Sequence, residues 1–283
     1  MDIQNKQKSM QDEQQRIVET VSKIKHRIAV FSGKGGVGKT TVSVNLAYAF
    51  QLDGFSTGIL DADITGPNVA KMINVNGQLF FSGEKILPFE KENLKIISMA
   101  SLIKSGQPII WRGALRTKMI NQFLADVDWG ELEFLVADLP PGTGDEMLTL
   151  AQQMKPDYAV IVTTPQEVSV MDAERSINMA KQLNIPMIGV VENMSGLICP
   201  HCGKVIDLFG SGGGKKLAEN YGVDFLGSIP FEIETRQQSD NGKPIVLANN
   251  KSEVSKSIFS IQKNLQEKFT DLIPIENNKQ TEL

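Results

Sequence analysis

Apolar residues in this chain fall into short unbroken runs that alternate with longer stretches of helical spacing. Residues 28–31, 57–60, 134–137, 158–162, 187–191 and 226–229 form such runs. Each reads as a buried strand. After the first run, Val42, Val44, Leu46 and Ala47 mark a helix. Leu115, Met119, Phe123 and Leu124 mark a second helical face, and helical patterns cover about 168–183 and 252–269. In the last, Val254, Ile258, Ile261, Leu265 and Phe269 form one stripe. Core packing is its expected role, ahead of lying on a membrane surface. Strands alternating with helices predict an α/β fold with a doubly wound, mostly parallel sheet.

Residues 78–99 break the alternation. Stretches 79–81, 85–89 and 94–99 predict short strands, with turns at Ser82-Gly83 and Glu92-Asn93. Together they read as a small β insertion on the main sheet. Pro67 suits the first turn of a short helix toward Ile73. Residues 102–113 read as a loop. At the start, residues 1–16 are polar and predict little order, and Ile17, Val21 and Ile24 suit a short amphipathic helix. The expected organisation is a lead-in over 1–25, one domain over 26–270 and a loose tail over 271–283. No internal repeat or linker interrupts it.

Composition narrows the class. The chain has 283 residues, 41% hydrophobic and 22% charged, which suits a soluble globular protein. A net charge of −4 offers no global basic field for nucleic acid or anionic membrane. The polar start lacks an apolar signal core, and no apolar run reaches the ~20 residues of a membrane span. The expectation is a cytoplasmic protein with neither a nucleic-acid nor a membrane partner. Its two cysteines, Cys199 and Cys202, exclude a disulfide framework.

Candidate chemistry begins directly after the first strand. Gly33, Lys34, Gly35, Gly36, Val37, Gly38, Lys39 and Thr40 spell G-x-x-x-x-G-K-T, with Thr41 next. Strand, glycine loop and helix start are the context of a phosphate-binding loop. Glycines bring backbone N–H groups close to phosphate oxygens, and the helix N-terminus adds positive charge. Lys39, in a solvated loop, is expected to reach the β- and γ-phosphates, and the Thr40 hydroxyl to bind Mg²⁺. Asp138 ends the run 134–137 and suits an acid that holds Mg²⁺ through water; the alternative is a turn cap.

With its early lysine, KGGVGKTT resembles the deviant phosphate loop of the superfamily of ParA, MinD and the nitrogenase iron protein. That resemblance implies a nucleotide-sandwich homodimer in which Lys34 reaches the partner's phosphates. Pro140, Pro141 and Gly142 resemble the superfamily's γ-phosphate-sensing switch. Asp63, in DADITGPN, resembles its water-orienting aspartate, against a cap or turn role; Asp61 is expected to be structural or to support Mg²⁺ indirectly. Asn193, in VENMSG, matches the position that reads the adenine edge in related ATPases, against an Asn in a turn after the strand. No Asn-Lys-x-Asp guanine signature occurs, which favours ATP.

Cys199 and Cys202 lie in CPHCG. Two thiolates at this spacing are half of a four-ligand site. A two-fold dimer would bring two pairs together. A bridging [4Fe–4S] cluster, a bridging structural Zn²⁺ and a redox dithiol remain open, and no thioredoxin-like context supports the third. His201 is expected to face solvent. GSGGGKK over 210–216 reads as a helix-entry loop, without the Lys-Ser/Thr ending of a phosphate loop.

In order, KGGVGKTT, DADITGPN, DLPPGTGD, VENMSG, CPHCG and FGSGGGKKLA closely resemble the Mrp/ApbC/Nbp family of iron–sulfur cluster carrier ATPases, over about 25–250. The resemblance implies a cytosolic homodimeric ATPase that passes a bridging [4Fe–4S] cluster to apo-proteins. Catalytic roles would fall to Lys34, Lys39 and Asp63. The sequence lacks the N-terminal cysteine cluster of eukaryotic scaffold relatives. Alternatives are a positioning switch like ParA or MinD and a reductase like the nitrogenase iron protein.

Overall fold

A computed structural model describes residues 2–63, 66–83, 85–102, 113–142, 144–199 and 201–270. Most of the 102–113 loop and the whole 271–283 tail lie outside the described residues, as do Ile64, Thr65, Thr143 and Pro200 of the motifs. The chain opens with α1 (Asp2–Val21), β1 (Ile24–Phe31), α2 (Lys39–Leu52), β2 (Thr57–Asp61) and α3 (Val69–Ile73). Four short strands follow: β3 (Phe80–Ser82), β4 (Lys85–Leu87), β5 (Phe89–Lys91) and β6 (Leu94–Ser98). Then come α4 (Gly113–Asp126), β7 (Leu132–Asp138), α5 (Asp145–Met154), β8 (Tyr158–Thr163) and α6 (Glu167–Gln182). The last part contains β9 (Met187–Ile198), β10 (Val205–Ile206), α7 (Gly213–Tyr221), β11 (Asp224–Phe231), α8 (Ile233–Asp240), α9 (Ile245–Ala248) and α10 (Glu253–Thr270).

Seven strands run parallel in the order β11-β9-β8-β1-β7-β2-β6. Antiparallel β10 extends β9, and antiparallel β5 pairs with β6. The strand alternation divides the core in two. Ile28, Val30, Ile59 and Val136 face the layer of α2, α9 and α10, while Ala29, Phe31, Leu60 and Leu135 face α1, α4, α5, α6 and α7. Two-sided burial is why these strands read as unbroken apolar runs. The stripe Val254, Ile258, Ile261, Leu265 and Phe269 is buried in the first layer. Among the described residues, no helix is long and apolar enough to cross a membrane.

Four readings change. β6 is an interior parallel strand bound along β2, so only β3, β4 and β5 are additions; its short run resembles its neighbours' in sequence. The helix at the start begins at Asp2, and its Ile17 and Val21 pack into the core near α4, with Thr20 Oγ1 donating to Ala125 O at 2.9 Å. Ile24 opens β1 rather than closing that helix. Strand β9 continues past Val191 to Ile198, because Met194 (φ 58°) and Gly196 (φ 80°) absorb irregular pairing where the sequence reads as a turn.

Candidate functional site

The carboxyl ends of β2, β7, β1, β8 and β9 lie side by side, and the loops that follow β1, β2 and β7 share one crevice with the distal part of β9. Ligands bind at this edge in open α/β sheets. Residues 33–38 form the loop from β1 into α2. Gly38 has φ 84°, and a Cβ there would overlap the Asn193 amide. Both facts demand glycine. That amide donates from Nδ2 to the Val37 carbonyl at 2.8 Å, so β9 braces the loop directly.

Lys39 is buried rather than solvated. Its Nζ lies 2.6 Å from Asp138 Oδ1, and both side chains are nearly inaccessible. Thr40 Oγ1 donates to Asp138 Oδ2 at 2.7 Å, and Ser43 Oγ donates to Oδ1 at 2.7 Å. One carboxylate therefore gathers the lysine and the hydroxyls of Thr40 and Ser43 at the start of α2. Ser43 escaped the sequence reading because it lies beyond the motif; its spacing of one turn from Lys39 was the available signal.

Asp61 stands beside Asp138 in the β2–β7 register. It accepts from Ser98 Oγ at 2.7 Å, Asp63 N at 3.2 Å and Val69 N at 3.3 Å. Burial, then the Asp138 carboxylate, push its carboxyl up to about 8. Asp61 thus fixes the turn that presents Asp63, as a structural role requires. Asp63 accepts from Gly66 N at 3.1 Å and lines the crevice. The cavity holds about 500 Å³. Lys34, Lys39, Thr40 and Asn193 stand at its phosphate-loop end, and Pro230 and Arg236 extend it toward α8.

Cys199 and Cys202 form the tip of the β9–β10 hairpin. The Cys199 N–H donates to Lys204 O at 2.9 Å, and Gly203 N–H donates to Cys199 O at 2.9 Å. Backbone N–H groups of His201 and Cys202, then the Cys202 thiol, hold the Cys199 thiol below its usual range. Such donors favour a thiolate ligand. Cys199 is half-buried and Cys202 exposed, and both are free. His201 is exposed, as expected. Val205, Ile206 and Leu208 leave apolar surface open on the same arm. Among the described residues, no cluster of three or more His, Cys, Asp or Glu could hold a metal.

Glu192, fully buried at the end of the regular part of β9, was missed. It accepts from Gly212 N at 3.0 Å, Gly214 N at 2.6 Å and Ser195 Oγ at 2.6 Å. A Cβ on Gly214 would sit 2.9 Å from the Glu192 Cβ. The second glycine loop is therefore a helix entry closed by a carboxylate.

Residues 23–266 match the family model described as ParA: NUBPL iron-transfer P-loop NTPase. The chain belongs to this family. Among its relatives, the iron-sulfur cluster carrier protein of Methanocaldococcus jannaschii is 52% identical over 257 residues, covering 89% of this chain and 88% of the relative. The protein of the same name from Pyrococcus abyssi is 50% identical over 270 residues, with 91% of both chains covered. Among solved structures, the nucleotide-binding protein of Archaeoglobus fulgidus in complex with ADP, with cobalt found, is 39% identical with TM-score 0.74, covering 85% of this chain and 94% of that one. MinD of Aquifex aeolicus, at 21% identity and TM-score 0.62, shares the fold, covering 86% of this chain and 97% of that one. An iron-transfer P-loop NTPase with an intact glycine loop is an NTPase by family. The crevice described above is where such a fold takes its nucleotide.

Proposed function

We propose that this protein is a cytoplasmic, homodimeric ATPase that carries a [4Fe–4S] cluster between Cys199 and Cys202 of two copies and delivers it to apo-proteins. The observation that carries this reading is the free thiol pair on a hairpin tip, Cys199 half-buried and Cys202 exposed, with N–H donors set for thiolate and two ligands per chain. A cubane takes four cysteines, so a second copy completes the site. The apolar Val205, Ile206 and Leu208 beside it suit burial against that copy. The names of the relatives support the cargo.

At the nucleotide end, loop N–H groups and Lys39 hold the phosphates, and Lys39 leaves part of its pairing with Asp138 to do so. The Thr40 hydroxyl would bind Mg²⁺ and Asp138 would hold it through water, and their 2.7 Å contact supports that pairing. Mg²⁺ bound there neutralises charge on the phosphate oxygens. Asp63 orients the attacking water, Lys34 reaches the partner's phosphates, and Asn193 braces the loop through the Val37 carbonyl. ATP and ADP states of the dimer hold the cluster with different affinity, which turns hydrolysis into release.

The test is transfer. Reconstituted protein is mixed with an apo-acceptor, and acceptor activity is followed with ATP and without it. Acceptor activation that needs Cys199 and Cys202 supports the reading. Stable nucleotide turnover with no iron uptake contradicts it and favours a positioning switch, for which the thiol pair has no use.

A further inference from the structure

The two cysteines sit on an arm that runs from Glu192 in β9 to Gly212 at the start of α7. Glu192 holds both ends of that arm. On the outgoing side Ser195 Oγ donates to its Oε1 at 2.6 Å. On the returning side Gly212 N donates to Oε1 at 3.0 Å and Gly214 N to Oε2 at 2.6 Å. The carboxylate is fully buried, so water offers no substitute acceptor. The next residue, Asn193, is hooked to the Val37 carbonyl inside the phosphate loop. Beyond it, Met194 and Gly196 turn through positive φ before the strand resumes toward Cys199.

From this arrangement we infer that Glu192 is a positioning residue that couples the phosphate loop to the cysteine arm. The inference rests on reading Cys199 and Cys202 as the cargo site, although its test uses no iron. Nucleotide phosphates reorganise the loop peptides, the Val37 carbonyl among them. The Asn193 amide follows that carbonyl. Because Glu192 ties the strand beside Asn193 to the return of the arm, the whole arm shifts and not its near strand alone. Glu192→Gln preserves size but replaces one acceptor oxygen with an NH₂ group. With three donors converging on the carboxylate, at least one loses its partner, and the two sides of the arm are no longer tied together beside Asn193.

The test measures iodoacetamide modification of Cys199 and Cys202 in the metal-free, full-length protein. It compares no nucleotide with saturating ADP and Mg²⁺, at a concentration where gel filtration shows one unchanged oligomeric state. In the wild type, nucleotide is expected to change the rate by about fivefold or more. In Glu192→Gln the change is expected to fall below about twofold, while ADP affinity stays within about twofold of wild type. A loss of fold would lower ADP affinity too, so the pairing of these readouts separates positioning from bulk damage. Ser195→Ala removes one donor of the clasp and is expected to give an intermediate response; it decides alone where Glu192→Gln does not fold. A wild-type-sized response in the variants, or none in the wild type, overturns the inference. Failure of iron uptake would leave these rates unchanged, so the two readings fail separately.

Discussion

At the scale of single residues, Asp138 is the centre of the nucleotide site. It is fully buried and faces Lys39, Thr40 and Ser43. Breaking a buried ion pair strands a charge and costs about 3–5 kcal/mol. Lys39→Ala is therefore expected to lose nucleotide binding and also to lower stability by about 3 kcal/mol, with Thr40 and Ser43 softening the loss. Urea denaturation and nucleotide titration check the two effects; unchanged stability would contradict the pairing. Asp61 makes a separate prediction. Its carboxyl rises from 3.8 to about 8 on folding, so the folded state holds its proton more tightly than the unfolded chain. The stabilisation is full below about 3.8 and is lost as pH rises through 8. Thermal unfolding in chelator is expected to show a fall in stability from pH 5 to pH 8 that is flattened in Asp61→Asn. An equal slope in both proteins would refute the buried-carboxyl account.

At the scale of elements, the glycine loop and the end of β9 make one unit. Gly38→Ala forces a side chain into positive φ and onto the Asn193 amide. It is expected to weaken nucleotide binding by at least about tenfold while the far-ultraviolet circular dichroism stays native. Wild-type affinity would show that the brace is dispensable. Much of this was legible in advance. Strands buried on both faces, such as 134–137 and 158–162, announce themselves as apolar runs, and the glycine loop is unambiguous after one of them. What was hidden depends on distant partners. The continuation of β9 through Met194 and Gly196 is held by β10 and β11, which local sequence does not encode. Helices α8 and α9 lack strong periodicity, and their packing comes from α2, α3, α10 and each other. Buried Glu192 gave no sign because two of its three donors are backbone N–H groups some twenty residues away.

At the scale of the whole molecule, the account needs two copies. In the proposed dimer, the crevice on the sheet edge and the thiol pair on the β9–β10 arm would each supply half of a composite site. Lys34 belongs to the nucleotide half. Lys34→Ala is expected to slow hydrolysis far more than it weakens ATP binding, as loss of a transition-state cation does. Mixing Lys34→Ala with Lys39→Ala protein builds heterodimers in which one site has its own Lys39 and the partner's Lys34. Recovered turnover is expected, and none, despite verified heterodimers, contradicts action across the interface. Cys199 and Cys202 belong to the cargo half, and the claim rests most heavily on them. The most direct measurement is iron and zinc content with Mössbauer spectra after anaerobic purification and reconstitution, for the wild type and for Cys199→Ala and Cys202→Ala. The account predicts about two irons per chain with a [4Fe–4S] spectrum in the wild type, and almost none in either variant, because each change removes two of four ligands from the dimer. About one zinc per dimer, with no iron taken up on reconstitution, would contradict it.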